Sequence, residues 1–363
     1  MIYLDANASE PLRPEAQDAA LQAMITGGNP ASLHHAGRAA RKILENARER
    51  IAAFTFSRPA DIIFCSGATE ANALAVHALG HGRPLLVGAT EHDAIRAATP
   101  NAETIPVLAN GEVDLAALEA LLHQHPGALV CLMAANNETG VLHDLENAAR
   151  LCDQAGARLH VDAVQAVGRA NRDWLAIGAV SFALSGHKCG APAGAGALIT
   201  RPGLEIAPLL KGGGQELGRR GGTPPLPAIA GLAAALGTPY QAAQIALWRD
   251  QLEAFCMSHG ALVAGRSAPR LPNTSCLILP GMRAESQLIA LDMAGICASA
   301  GSACSSGKVS ASPVLLAMGL GEQAGQAIRV SLPWNAQAED VLKFQTAYAT
   351  MAARGLRNKI QSV

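Results

Sequence analysis

The feature that most constrains the fold is a repeated alternation of short apolar runs with stretches of helical periodicity. The apolar runs between residues 61 and 200 are DIIFC, PLLVGA, ALVCLMAA, RLHVDA, AVSFALS and GALIT. Ala/Leu/Glu-rich stretches such as HHAGRAARKILENARERIAAF and DLENAARLCDQAG separate most of these runs. Apolar strands that alternate with helices are typical of α/β proteins whose parallel sheet is buried on both faces. We therefore predict an α/β fold with a mostly parallel central sheet flanked by helices.

The pattern changes after Thr223. A Pro-rich turn, TPPLP, leads into a long Ala/Leu-rich helical stretch that runs to about Phe255, and more widely spaced elements follow. We predict a large domain over residues 13–255 and a smaller α+β domain formed by residues 1–12 and 256–363. The 363 residues, 50% of them hydrophobic, are enough to bury a large core.

Charge and composition exclude several classes of partner. The formal net charge is -1, and aromatic residues make up 3% of the chain. Direct binding to nucleic acid or to a membrane surface is therefore not expected. The first residues lack the features of a signal peptide, and no apolar stretch approaches the roughly 20 residues of a membrane span. Eight cysteines without a CxxC pair indicate thiols of a reducing compartment, so we expect a cytoplasmic location.

Polar residues follow several of the predicted strands, where ligands bind in sheets of this kind. A strand ends at Cys65, and a helix begins near Thr69; helix-terminal amides and a Thr hydroxyl bind phosphate, although an ordinary Thr cap explains the pattern as well. Lys188 follows the strand that ends at Ser185. Crowding there would lower its pKa and make it nucleophilic, whereas the alternative is a surface lysine in a turn.

Four further apolar runs carry or precede polar residues that could have a functional partner. Asp162 ends RLHVD, and a buried carboxylate there would suit a cationic heterocycle, although Asp is also a common cap. Asn136 and Asn137 end another strand, and His92 follows a third; both motifs also have plain structural explanations. Arg329 lies inside an apolar run, where a substrate carboxylate would satisfy its charge.

A single thiol, Cys304, lies among small residues in GSACSSG, a composition typical of an exposed loop with a nucleophile. The chain thus supplies a phosphate cradle, an acid, a nucleophilic lysine, an amide pair, a histidine, an arginine and a thiol. That set fits pyridoxal 5'-phosphate acting on an amino acid.

The chain resembles the cysteine desulfurases of the NifS/IscS group, which belong to the class V aminotransferases of pyridoxal-phosphate fold type I. The resemblance runs almost end to end and rests on the ordered motifs YLDANA, GNPASLH, SGATEANALA, TEHDAI, NNETG, HVDAVQAVG, SGHK, GGGQELGRRGGT, GSACSSG and IRVSL. So many motifs in one order make a chance match very improbable.

The resemblance implies a role for each candidate residue. Lys188 would bind the cofactor covalently and move the substrate α-proton, and Asp162 would pair with the pyridinium nitrogen. His92 would stack on the ring and take part in catalysis. The other implied contacts are Ala68, Thr69, Ser185 and His187 with the phosphate, Gln165 and Asn137 with the phenolate oxygen and substrate region, and Arg329 and Asn29 with the substrate carboxylate.

The resemblance also implies a reaction and partners. L-cysteine would become L-alanine, with a persulfide formed on Cys304 and its sulfur passed to an acceptor. The leading candidate for the acceptor pathway is iron–sulfur cluster assembly. Thr223 would reach the partner's active site in a homodimer. No metal site is expected, except that Cys304 could ligate an iron–sulfur cluster transiently on a scaffold protein. Thiolation of tRNA or DNA, selenocysteine lysis, transamination and a catalytically inactive scaffold remain alternatives.

Overall fold

The computed structural model describes residues 1–170, 172–301 and 311–361, with side chains to residue 353. Cys304 therefore lies outside the described residues. The strands are β1 (Ile2–Tyr3), β2 (Ile62–Cys65), β3 (Leu85–Gly88), β4 (Glu103–Ile105), β5 (Leu129–Met133), β6 (Arg158–Asp162), β7 (Ser181–Ser185), β8 (Gly196–Thr200), β9 (Leu262–Val263), β10 (Thr274–Ile278), β11 (Ile296–Cys297), β12 (Ser299–Ala300) and β13 (Ala327–Ser331). The α-helices are α1 (Pro14–Thr26), α2 (His35–Phe54), α3 (Ala68–Leu79), α4 (Asp93–Arg96), α5 (Leu115–Gln124), α6 (Leu145–Gln154), α7 (Leu226–Leu236), α8 (Ala242–Ser258), α9 (Ala284–Met293), α10 (Pro313–Ala317) and α11 (Ala338–Gln361).

A seven-stranded sheet in the order β2-β8-β7-β6-β5-β3-β4 forms the centre of the fold. The five strands β7, β6, β5, β3 and β4 run parallel to one another. Strand β8 is antiparallel to both β2 and β7. The connection from β7 to β8, residues 186–195, is too short for the helical crossover that a parallel pair requires. This short connection carries Lys188 at the carboxyl end of β7.

Both faces of this sheet are covered, and successive strand residues alternate between them. In β7, Phe182 and Leu184 pack in one hydrophobic cluster together with α2 and α7, whereas Ala183 packs in a second cluster with α3. Six of the seven strands are therefore buried along their length or nearly so. The predicted α/β architecture, with a mostly parallel sheet between helices, is confirmed.

A second core forms around the four-stranded antiparallel sheet β12-β13-β10-β9. Helices α8 and α11 contribute buried side chains to it, and so does the N-terminal segment through Leu4, which is fully buried. Strand β1 pairs in parallel with β11. Among the described helices, none combines the length and apolarity needed to cross a bilayer.

The helical stretch predicted to continue to Phe255 is two helices. Gly237 follows the end of α7, and Pro239 comes before α8 begins, so a residue without a side chain and one without an N–H interrupt the helix. Helix α7 packs in the first core and α8 in the second. The domain boundary at residue 255 remains a prediction. Most of α8 lies on the N-terminal side of that boundary, although the helix packs with the second core.

Candidate active site

A cavity of ≈ 650 Å³ opens at the carboxyl ends of the parallel strands, between the two cores. Ten of the predicted site residues line it: Ala68, Thr69, His92, Asn137, Asp162, Gln165, Ser185, His187, Lys188 and Arg329. Asn29 and Thr223 do not line it; both are exposed, and the Asn29 side chain accepts a hydrogen bond from Ala31 N–H. Within the described residues, no group of three or more acidic, His or Cys side chains could hold a metal.

Asp162 ends β6 with its carboxylate buried at the cavity wall. Its Oδ2 accepts a hydrogen bond from Asn72 Nδ2 at 2.7 Å, and its Oδ1 accepts one from Val164 N–H at 3.0 Å. Burial raises the Asp162 pKa, and these hydrogen bonds act in the opposite direction. An ionised Asp162 therefore gains from a positive partner inside the cavity.

A line of buried polar side chains fixes Asp162 from behind. Asn72 Oδ1 lies 3.0 Å from His160 Nε2, and His160 Nδ1 lies 2.8 Å from Ser181 Oγ. Burial lowers the His160 pKa to about 4, so the imidazole is neutral at physiological pH. Sequence reasoning missed Asn72 and His160. The available signal was a polar residue on the inner face of an apolar helix or strand, which requires a buried partner.

Lys188 lies in the 3-10 turn Gly186–Lys188 that follows β7. Its Nζ donates to the main-chain oxygens of Asn7 at 2.7 Å and Ala8 at 2.8 Å. Burial, followed by the positive charges of Arg329 and Arg169, lowers the Lys188 pKa to about 8. A substantial fraction of this amine is therefore neutral and nucleophilic just above neutral pH.

The N-terminus of α3 forms one end of the cavity. Gly67 precedes the helix, and Ala68 and Thr69 form its first turn. Ser185 and His187 line the same cavity from the β7 side. Burial, with Lys188 nearby, lowers the His187 pKa to about 4. Free helix amides and hydroxyl groups gathered in this way suit an anion such as phosphate.

Arg329 lies on β13 and lines the same cavity. One of its terminal nitrogens donates to Asn137 O at 3.2 Å, and the other pairs with Asp5 Oδ1 at 2.7 Å. The second oxygen of Asp5 accepts from Ser299 Oγ at 2.7 Å. The predicted carboxylate binder thus already has a carboxylate partner, which sequence reasoning missed although Asp5 lies in the YLDANA motif.

Asn7 joins this wall of the cavity to the N-terminal segment. Its main-chain oxygen accepts from Gln165 Nε2 at 3.0 Å as well as from Lys188, and its Nδ2 donates to Asn137 O at 3.0 Å. His92 caps α4, with its Nδ1 accepting from Ala94 N–H at 3.1 Å. Sequence reasoning quoted the motif that contains Asn7 without assigning it a role.

Known proteins match this sequence and fold over nearly the whole chain. The aminotransferase class-V family matches residues 2–344. A cysteine desulfurase of Cereibacter sphaeroides is 38% identical over 93% of this chain and 92% of its own. An IscS-like cysteine desulfurase of Mycobacterium tuberculosis is 34% identical over 94% and 93%. The X-ray structure of a NifS-like protein from Rickettsia africae superposes with a TM-score of 0.90 at 33% identity, over 97% of this chain and 99% of that one.

The chain therefore belongs to the class-V aminotransferase family. Within that family it groups with the cysteine desulfurases of the NifS/IscS type, which confirms the resemblance drawn from the motifs.

Proposed function

We propose that this protein is a pyridoxal-phosphate-dependent cysteine desulfurase that converts L-cysteine to L-alanine and forms a persulfide on Cys304. One observation carries the proposal. Lys188, with a lowered pKa, and the buried carboxylate of Asp162 line one cavity that has an anion cradle and Arg329 in its walls. The names of the curated relatives support the choice of reaction.

The cavity fits pyridoxal 5'-phosphate. A buried carboxylate suits the ring nitrogen, a nucleophilic lysine suits the aldehyde, and the N-terminus of α3 with Ser185 and His187 suits the phosphate. His92, Gln165 and Asn137 remain for the ring face and the phenolate oxygen. When bound, this cofactor supplies an electron sink for the substrate α-carbon.

Side chains of the protein then bind the substrate, move its proton and accept its sulfur. Arg329 is assigned to the substrate carboxylate, which would replace Asp5 as its partner. Asn29 is assigned to the same group from the motif resemblance alone, since it is exposed and lies outside this chain's own cavity lining. Lys188 Nζ takes the α-proton in its neutral form, which the lowered pKa favours. The Cys304 thiolate attacks the substrate sulfur, so that an S–S bond forms as the substrate Cβ–S bond breaks. Two protons complete the alanine, and the transferred sulfur stays on Cys304.

Two substitutions test this assignment. Cys304→Ala should keep the cofactor absorbance but lose alanine formation from cysteine, because the acceptor thiol is absent. Lys188→Ala should lose both the covalent cofactor band and turnover. Alanine and sulfide released by Cys304→Ala at the wild-type rate would show that the persulfide role is wrong.

The proposal includes a homodimer in which Thr223 reaches the partner's phosphate site, consistent with its exposure and its absence from this chain's own cavity lining. Mixing a Lys188→Ala chain with a Thr223→Ala chain tests this. In mixed dimers one site keeps both residues intact and should regain activity that neither parent dimer has. Activity no greater than the average of the parents would contradict a shared site.

The sulfur acceptor is proposed to be an iron–sulfur scaffold protein. Transfer of sulfur-35 from labelled cysteine to candidate scaffolds, with tRNA-thiolation proteins as competitors, identifies it.

A cytoplasmic location is also proposed, since the seven cysteines within the described residues are all free thiols.

A further inference from the structure

Glu138 lies in the loop after β5 and is almost fully buried in the cavity wall. Its main-chain N–H donates to Asn136 Oδ1 at 2.9 Å, which fixes the turn from which the side chain extends. The functional assignment above gives this carboxylate no task. A buried carboxylate is costly unless it holds specific partners, so its contacts indicate what it does.

The first contact is with Ser312. Ser312 Oγ donates to Glu138 Oε2 at 2.5 Å, and both residues are buried. Ser312 is itself fixed, because its Oγ accepts from Leu315 N–H at 3.1 Å at the start of α10 and its N–H donates to Ala324 O at 3.1 Å. The carboxylate therefore joins the loop after β5 to the start of α10.

The second contact is with Gly301, which directly follows β12. A Cβ added at Gly301 would collide with Glu138 Oε2, and the Glu138 carboxyl carbon would lie only 2.8 Å from it. The backbone of Gly301 is not in the left-handed region. The absence of a side chain at this position is thus explained by the close approach of the carboxylate rather than by backbone conformation.

In the sequence, Cys304 lies between Gly301 and Ser312. We propose that Glu138 is a positioning residue for sulfur transfer: its carboxylate accepts a hydrogen bond from Ser312 on one flank of the Cys304 segment and packs closely against Gly301 on the other. Fixing both flanks restricts where the segment starts and ends relative to the cavity. This inference rests on the proposed persulfide role of Cys304 and extends it to a residue to which the functional assignment above gives no role.

Glu138→Ala removes both contacts. In the full-length holoenzyme it should lower kcat for alanine formation about 10- to 100-fold, the usual cost of misplacing a reacting group by about 1 Å. The cofactor absorbance should stay near the wild-type value and the KM for cysteine should change far less than kcat, because Asp162, Lys188 and Arg329 keep their hydrogen bonds. Glu138→Gln keeps an oxygen for Ser312 Oγ and should retain most of the rate.

Gly301→Ala tests the same contact from the other side. It should lower kcat by pushing the carboxylate away, whereas Gly325→Ala, where an added Cβ meets nothing within 4 Å, should leave the rate unchanged. The double variant Gly301→Ala/Glu138→Ala should be no worse than Glu138→Ala, since the collision is gone. Such non-additivity is expected only of residues that act through one contact.

A single-turnover experiment that measures both the persulfide on Cys304, by mass spectrometry, and the release of alanine distinguishes the proposed function from the positioning role of Glu138. Wild-type protein that makes no persulfide overturns the proposed function itself. If the wild type makes it, a Glu138→Ala kcat within twofold of wild type overturns the positioning role. Fully additive losses, or a loss that goes together with loss of cofactor absorbance, overturn it as well.

Discussion

At the scale of single residues, Lys188 shows how the site prepares a nucleophile. Burial and two neighbouring arginines lower its pKa to about 8, while the carbonyl oxygens of Asn7 and Ala8 hold its Nζ in place. An ordinary lysine has a pKa of about 10.4. The protein thus makes a neutral amine available at a fixed point without removing the hydrogen-bond acceptors that keep it there.

This leads to a prediction on pH. Because the folded-state pKa is lowered, the neutral amine becomes the main form as pH rises through about 8. The rate at which the apoprotein captures added pyridoxal phosphate should therefore rise with a midpoint near that pH, measured by stopped-flow absorbance. A midpoint at the value of a free lysine would contradict the assigned environment.

Asn72 gives a second residue-scale prediction. Asn72→Leu removes the hydrogen bond to Asp162 Oδ2 and leaves His160 Nε2 without its partner. A hydrogen bond to a charged group contributes about 1.5–3 kcal/mol, so kcat/KM should fall about 10- to 100-fold. Asn147→Leu, at an exposed helix position, is the control. Equal losses in the two variants would show that the Asp162 contact is not the cause.

The chemically active residues were easier to predict from the sequence than their supports. Lys188, Asp162 and Arg329 are charged residues in or directly after apolar strands, and such a position can be recognised from the sequence alone. Asn72 and Asp5 are short polar side chains whose partners lie 90 and 324 residues away along the chain. Asn72 offers one local signal, a polar residue on the buried face of an apolar helix, but the sequence does not name its partner. Nothing local distinguishes Asp5 from a solvated Asp, so only the folded arrangement assigns it a partner.

At the scale of elements, the sheet was predictable where its strands are continuously apolar. Strand β4, with the sequence ETI and two exposed residues, lacks that signal and was missed at the sheet edge. The break between α7 and α8 was also missed, because the alanine-rich composition continues on both sides of Gly237. Hydrophobic periodicity indicates which residues are buried. It therefore does not predict an element that is short or exposed, or a break in a helix that occurs without a change in composition.

The contact between β8 and the start of α3 gives an element-scale prediction. A Cβ at Gly196 would lie 2.7 Å from the Gly67 Cα and 2.7 Å from Leu184 O. Gly196→Ala should therefore displace the turn that begins the phosphate cradle, and overpacking of this kind costs about 1–3 kcal/mol. The Kd for pyridoxal phosphate should rise about tenfold or more in an absorbance titration.

The open position of Gly325 supplies the matched Gly→Ala control for that titration as well. A Gly196→Ala protein with a lower Tm but an unchanged Kd would place the strain away from the cradle.

At the scale of the whole molecule, the N-terminal segment connects the two cores. Leu4 is buried in the second core, whereas Glu10 pairs with Arg169 at 2.6 Å with both side chains 2% exposed. Arg169 also donates to Ala6 O and Asn7 Oδ1. The position of the Asn7 carbonyl, which holds Lys188, thus depends on an ion pair that lies outside the cavity.

Breaking this pair tests the connection. Glu10→Ala leaves the buried Arg169 charge unpaired and should lower the free energy of unfolding by about 3–5 kcal/mol, measured by urea denaturation of the apoprotein. Glu45→Ala removes a half-exposed partner of Arg48 and should change it by about 0–1 kcal/mol. Similar small effects of both substitutions would mean that the N-terminal segment is not held by its buried charge.

The pairing of the N-terminal segment with distant residues also has a consequence for biosynthesis. Asp5 bonds to Ser299, 294 residues later, and β1 pairs with β11 in the last quarter of the chain. A ribosome adds about 5–20 residues per second, so these first residues emerge many seconds before their partners exist. The lysine turn and the phosphate cradle can form earlier, but Asn7, whose carbonyl oxygen accepts from Lys188, also forms hydrogen bonds with Thr274 and Ser331 and gains these contacts only later. Capture of the cofactor in its final geometry should therefore follow release of the finished chain.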